Sequence, residues 1–153
     1  MDAFSVPHPT LLHWMRLAVQ RLDARVLALM VHHPGVTLGL SRLAARGQLG
    51  AAHIQITRHL PLEGARLTEL ARAAGMTKQA MAALVSECES WGLVERVPDE
   101  RDGRARRVQF TAIGQSWMEA YNASLTQAET EFRAIVGEEV ATVIALGLES
   151  YCE

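Results

Sequence analysis

From Thr10 onward, apolar side chains return at three- and four-residue steps: Leu11, Met15, Ala18, Leu22, Val26 and Leu29. That period belongs to a helix with one apolar stripe. Thr10 can cap its start, and Pro34-Gly35 halts it near His33. Such a helix exceeds about 20 residues, long for a globular domain, and points to packing against a second chain. Residues 1–9, with Pro7 and Pro9, read as a tail.

Leu38 to Arg46 forms a short helix closed by Gly47, and another runs from about Gly50 to His59 with Ile54 and Ile56 apolar. Pro61 and Gly64 break it. Leu67 to Ala74 reads as a further short helix, Gly75 as a turn, and Thr77 as the cap of a helix from Lys78 to about Trp91, ended by Gly92. Ala80, Leu84, Val85 and Cys88 are its expected inner face.

After Gly92 the period shortens to two. Leu93 to Val97 and Arg107 to Thr111 read as strands, joined by a polar hairpin tip from Pro98 to Arg106. Thr111 caps a long final helical region. Ile113, Trp117, Tyr121, Leu125, Ala128 and Phe132 or Ile135 recur there at helical spacing, and Gly137 interrupts it before Val140 to Leu148. There are no internal repeats.

A short helix, a glycine turn and a second helix make a helix-turn-helix. Gly75 suits the turn because it adopts positive φ at little cost. A helix capped by Thr77 presents unpaired backbone N–H groups at its first turn, and such an end suits a phosphate. Lys78 and Gln79 follow at once and can hydrogen-bond phosphates or base edges. Ala80 and Met81, small or flexible, let the helix sit deep in a major groove. On the hairpin, Arg101, Arg104 and Arg106 can reach the adjacent minor groove, where negative potential is strongest. Asp99 and Asp102 are expected to pair with Arg101 or Arg104 and fix the hairpin's shape.

Charge sharpens this picture. The chain of 153 residues carries a net charge of −2, with 49% apolar and 21% charged residues. Residues 1–60 hold six Arg against Asp2 and Asp23, a net +4, whereas residues 112–153 hold Arg133 against seven Glu, a net −6. That asymmetry fits a protein that meets DNA with one face. The two cysteines, Cys88 and Cys152, form no CxxC pair, so neither a zinc knuckle nor a disulfide framework is expected, and the chain reads as cytoplasmic. No apolar run of about 18 residues suggests a membrane span. GxSxG, P-loop and dinucleotide-binding motifs are missing, so neither an enzyme nor a cofactor is expected.

The run Thr68-Glu69-Leu70-Ala71, Gly75-Met76-Thr77-Lys78-Gln79-Ala80-Met81, Leu84-Val85 and Trp91-Gly92-Leu93-Val94-Glu95-Arg96 resembles the MarR family. Asp99-Glu100-Arg101-Asp102-Gly103-Arg104 and Phe110-Thr111-Ala112-Ile113-Gly114 extend the resemblance, which covers roughly residues 50–120. It implies a homodimeric regulator of transcription that binds double-stranded DNA and, in many members, lets go when a small-molecule effector binds. It implies that Thr77, Lys78, Gln79, Ala80 and Met81 form the reading end of the recognition helix. Arg104 is then the wing arginine of the minor groove, Asp102 its brace, Arg101 and Arg106 its neighbours, and Thr68 and Gly75 support the helix-turn-helix.

The expected fold is therefore mostly α: a winged helix-turn-helix with a two-stranded β wing, and N- and C-terminal helices forming a dimerisation domain. Residues 1–48 and 112–153 are the helical dimerisation segments, and residues 49–111 the DNA-binding domain. Two other readings compete. In one, histidines or Cys88 gate the same fold as a metal or thiol sensor. The spacing speaks against a local metal site, since His32-His33 point apart on a helix and His53 and His59 miss the i, i+4 spacing. In the other, the winged helix serves only protein contact.

Overall fold

The computed structural model describes residues 9–153; the expected tail through Pro7 and His8 lies outside them. Helix α1 spans Leu11–Val31, and Thr10 caps it by accepting the His13 N–H on its hydroxyl oxygen. The expected stripe is only partly used. Val26 is buried and Met15, Leu22 and Leu29 are half-buried, whereas Ala18 is exposed and Leu11 is 75% exposed. The first half of α1 runs beyond the core of its own chain. Helices α2 (Leu38–Ala45) and α3 (Ala51–His59) follow, separated by Gly47 and Leu49. Leu49, Ile54 and Ile56 carry this segment into the core.

Strand β1 (Ala65–Arg66) leads directly into α4 (Leu67–Ala73), and α5 (Lys78–Ser90) completes the helix-turn-helix. Strands β2 (Val94–Asp99) and β3 (Asp102–Phe110) form the hairpin. The sheet has three strands in the order β1-β3-β2, all antiparallel. The wing is two-stranded as expected. The third strand, two residues long, is too short to leave any period in the sequence. The hairpin also corrects the expected tip. Its strands continue through Pro98↔Arg106, with an irregularity at Pro98/Asp99, and leave Glu100 and Arg101 to make the turn. Pro98 is tolerated because β2 is an edge strand.

Helix α6 (Ala112–Val136) begins at Thr111, whose hydroxyl oxygen accepts from Gly114 N at 3.1 Å. Its buried stripe is Gly114, Trp117, Tyr121, Ser124 and Ala128; Leu125 and Ile135, expected in it, are exposed. Gly137 ends it and α7 (Glu138–Cys152) turns away. Three side chains lock the terminal helices to the centre. Arg58 of α3 donates to Asp23 of α1 at 2.6 Å and to the Tyr121 hydroxyl of α6 at 3.2 Å. No helix among the described residues is long and apolar enough to cross a membrane.

Candidate nucleic-acid interface

The turn before α5 is built as the sequence requires. Gly75 has φ +64, a left-handed conformation that costs a residue with a Cβ about 1–2 kcal/mol. Its N–H donates to Arg72 O, and the Met76 N–H to Ala71 O at 2.9 Å, closing α4. Thr77 is extended (φ −70, ψ 153), and its hydroxyl oxygen accepts from Ala80 N at 3.2 Å. Thr77, Lys78, Gln79 and Ala80 are all exposed, so the open N-terminal turn of α5 faces solvent.

Met81 does not share that surface. It is fully buried, and with Val85 and Cys88 it forms the inner face of α5. Steps of four and three residues from Met81 place these side chains on one stripe, and Ala80, expected inside, falls outside it. Met81 therefore anchors the helix and cannot touch DNA. Thr68 lies on α4, the first helix of the helix-turn-helix. It stands exposed in the first turn of α4, and the cap belongs to Arg66, whose N–H donates to Glu69 Oε2 at 2.9 Å.

Arg101, Asp102, Arg104 and Arg106 are exposed on the wing. Asp102 Oδ1 accepts the Arg104 backbone N–H at 3.2 Å, and Asp99 Oδ1 accepts that of Arg101 at 2.9 Å. Neither carboxylate pairs with the guanidinium of Arg101 or Arg104. Their cationic partner is Arg66, whose Nε donates to Asp99 Oδ2 at 2.6 Å and whose Nη2 lies 3.9 Å from Asp102 Oδ2. The Arg101 backbone N–H, then Arg66, hold the Asp99 carboxyl below its usual pKa.

The basic side chains of this region fall into two sets. Arg66 and Arg96 are ion-paired, the latter to Glu89 at 2.5 Å, and Arg107 donates to the carbonyls of Glu63 and Gly64. Arg72, Lys78, Arg101, Arg104 and Arg106 have no acidic partner within 4.0 Å among the described residues. They occupy the helix-turn-helix and the wing. Nothing in the pattern of the chain singles out Arg66, because an arginine ahead of a helix has no distinctive spacing.

His33, His53 and Cys88 have structural surroundings. His53 Nδ1 accepts from Gly50 N at 3.1 Å, so its Nε2 carries the hydrogen and donates to Glu87 at 2.5 Å. Its ring lies 4.8 Å from that of Trp91. His33 Nδ1 accepts from Gly35 N in the same manner. Among the described residues, no three His, Cys, Asp or Glu side chains converge on one point. Burial, then the charge of Glu87, pushes the Cys88 thiol up to about 12, which suppresses the reactive thiolate; Cys152 is exposed.

Residues 54–105 match the sequence model of the MarR family. No curated protein sequence matches the chain. Among solved structures, the chain is similar to the transcriptional repressor CouR bound to a 23-mer DNA duplex, with TM-score 0.70 and 17% identity over 100% of this chain and 99% of that one. It is similar to a cysteine-to-serine mutant of MarR from E. coli, with TM-score 0.68 and 19% identity over 94% and 97% of the two chains. It is also similar to the MarR family protein RV2887 of Mycobacterium tuberculosis in complex with p-aminosalicylic acid, with TM-score 0.64 and 21% identity over 94% and 99%. Residues 54–105 are thus similar to the MarR family, and the chain has, along its length, the winged helix-turn-helix fold of the solved MarR-family regulators it resembles.

Proposed function

We propose that this protein is a sequence-specific DNA-binding regulator, a repressor, that binds a pseudo-palindromic operator as a homodimer and is released by a small-molecule effector. The observation that carries the reading is the division of its cations. Within the helix-turn-helix and the wing, Arg66 and Arg96 are ion-paired and Arg107 is held by two carbonyls, whereas Arg72, Lys78, Arg101, Arg104 and Arg106 stand exposed without acidic partners among the described residues. Phosphates and base edges are the partners such a surface fits. Lys78 and Gln79 enter the major groove, and Arg104, flanked by Arg101 and Arg106, the minor groove. No catalytic step enters this account.

The terminal helices supply the dimer. Ile135 is 77% exposed, Val143 68% and Tyr151 84%, and α7 buries only Ala141 in its own chain. Apolar faces of this extent mark an interaction surface, and residues 1–48 and 112–153 are the dimerisation segments in this reading. Two-fold symmetry then sets half-site centres about one helical turn, roughly 34–36 Å, apart. The solved relatives bound to DNA and to p-aminosalicylic acid lend the reading a precedent in the same fold.

The test is selection of binding sites from fragmented genomic DNA, followed by sequencing. The reading expects enrichment of a two-fold motif with that spacing. Recovery of fragments without a shared motif contradicts it.

A further inference from the structure

The wing beyond Arg107 has no third strand. β1 meets β3 only at Ala65↔Val108 and Arg66↔Arg107, so residues 98–106 form a bare two-stranded hairpin. An isolated pair of strands is marginally stable in water. Yet Arg104 can enter a groove only if this segment holds its direction against the helix-turn-helix.

We propose that Arg66 is a positioning residue that latches the wing to the start of the helix-turn-helix and so aims Arg104; the proposal rests on the DNA-binding reading above. The geometry is specific. Each tip carboxylate spends one oxygen on the turn and offers the other to Arg66. Asp99 takes the Arg101 N–H on Oδ1 and the Arg66 Nε–H on Oδ2, at 2.9 and 2.6 Å. Asp102 takes the Arg104 N–H on Oδ1, and its Oδ2 lies 3.9 Å from Arg66 Nη2. One guanidinium thus faces both carboxylates across the turn. The planar fork with several fixed donors makes this an arginine's task rather than a lysine's.

The other end of the latch is equally fixed. Arg66 lies in β1 and caps α4, with its own N–H held by Glu69. A displacement of the wing therefore has to break an ion pair whose acidic member, Asp99, is only 5% exposed. Without Arg66, Asp99 is left buried and unpaired. Asp102 also loses the guanidinium that lies 3.9 Å from its Oδ2.

Two measurements test this. In the free protein, amide hydrogen exchange reports local opening. Arg66→Ala is expected to speed exchange at Arg101 and Arg104 by about tenfold or more while the amides of α5 keep their wild-type rates, with Arg66→Lys intermediate. Unchanged wing exchange overturns the proposal whether or not DNA binds, and faster exchange throughout α5 assigns Arg66 a general role in folding and overturns it too. On DNA selected as above, Arg66→Ala is expected to weaken binding by about 5- to 150-fold, the range for losing one arginine contact. In an Arg104→Ala background it should add little, and in a Lys78→Ala background its effect should multiply. Full multiplication in both backgrounds contradicts the latch. Failure of the wild type to bind any DNA removes the reading of function and leaves hydrogen exchange to decide the latch.

Discussion

The indole N–H of Trp117 donates to the hydroxyl oxygen of Thr57 at 2.8 Å, with both side chains shielded from water. This bond joins α6, a terminal helix, to α3, which packs against both helices of the helix-turn-helix. Replacing Trp117 by Phe removes the donor and part of the ring. An abandoned buried partner costs about 1–3 kcal/mol. Urea denaturation of Trp117→Phe should show a loss of that size, and a change below about 0.5 kcal/mol, the usual effect at unspecialised surface sites, contradicts the role given to the contact.

Gly114 and Gly75 are both needed, for different reasons. A Cβ at Gly114 would overlap Leu93 O and stand 2.9 Å from the Phe110 ring, whereas one at Gly75 meets nothing within 4 Å. Gly75→Ala pays only for its positive φ, about 1–2 kcal/mol. Gly114→Ala must separate α6 from Leu93 and from Phe110 at the end of β3, an overpacking change that costs about 1–3 kcal/mol and can exceed it. Thermal melts should rank Gly114→Ala as the less stable; the reverse order contradicts the packing described here.

The pair between Arg25 of α1 and Glu131 of α6 has a pH signature. The Arg25 hydrogen bond, then that of Gln127, lowers the Glu131 carboxyl from 4.5 to about 2. A depressed pKa gives stability that is present above the unfolded value and lost as pH falls through the folded one. Wild type should therefore melt above Glu131→Gln at pH 6, and the two should converge as pH falls from about 4.5 towards 2. A gap that stays constant across that window contradicts the assignment.

The uncovered face of α7 predicts a dimer that charge disrupts. Val143 and Leu146 are 68% and 58% exposed in the single chain. Light scattering should give the mass of two chains for the wild type and of one for Val143→Glu/Leu146→Glu. A monomeric wild type at micromolar concentration contradicts the two-fold operator.

Much of the fold was legible in the sequence because its punctuation is local. Thr10, Thr77 and Thr111 cap the helices they precede, and Gly75 and Gly137 sit where turns were expected. What escaped depended on contacts across the chain. Met81 faces inward because α5 packs against α4, α3 and β2, a choice between adjacent positions that a stretch of apolar Ala and Met leaves open. Leu125 and Ile135 follow helical spacing yet remain exposed, since the sequence does not say whether an apolar face meets its own chain or another. Arg66 was invisible for the same reason: its partners lie more than 30 residues away, at Asp99 and Asp102.

The most direct test of the central claim is fluorescence anisotropy on the selected duplex over a range of salt, comparing wild type with Lys78→Ala, Arg104→Ala and Met81→Leu. The account predicts binding that falls steeply with salt. Arg104→Ala and Lys78→Ala should each lose about 1–3 kcal/mol, with Lys78→Ala lowering the salt slope by about one. Met81→Leu should bind as wild type, because its side chain is in the core. Salt-insensitive binding, or affinity untouched by Lys78→Ala and Arg104→Ala, would contradict the account.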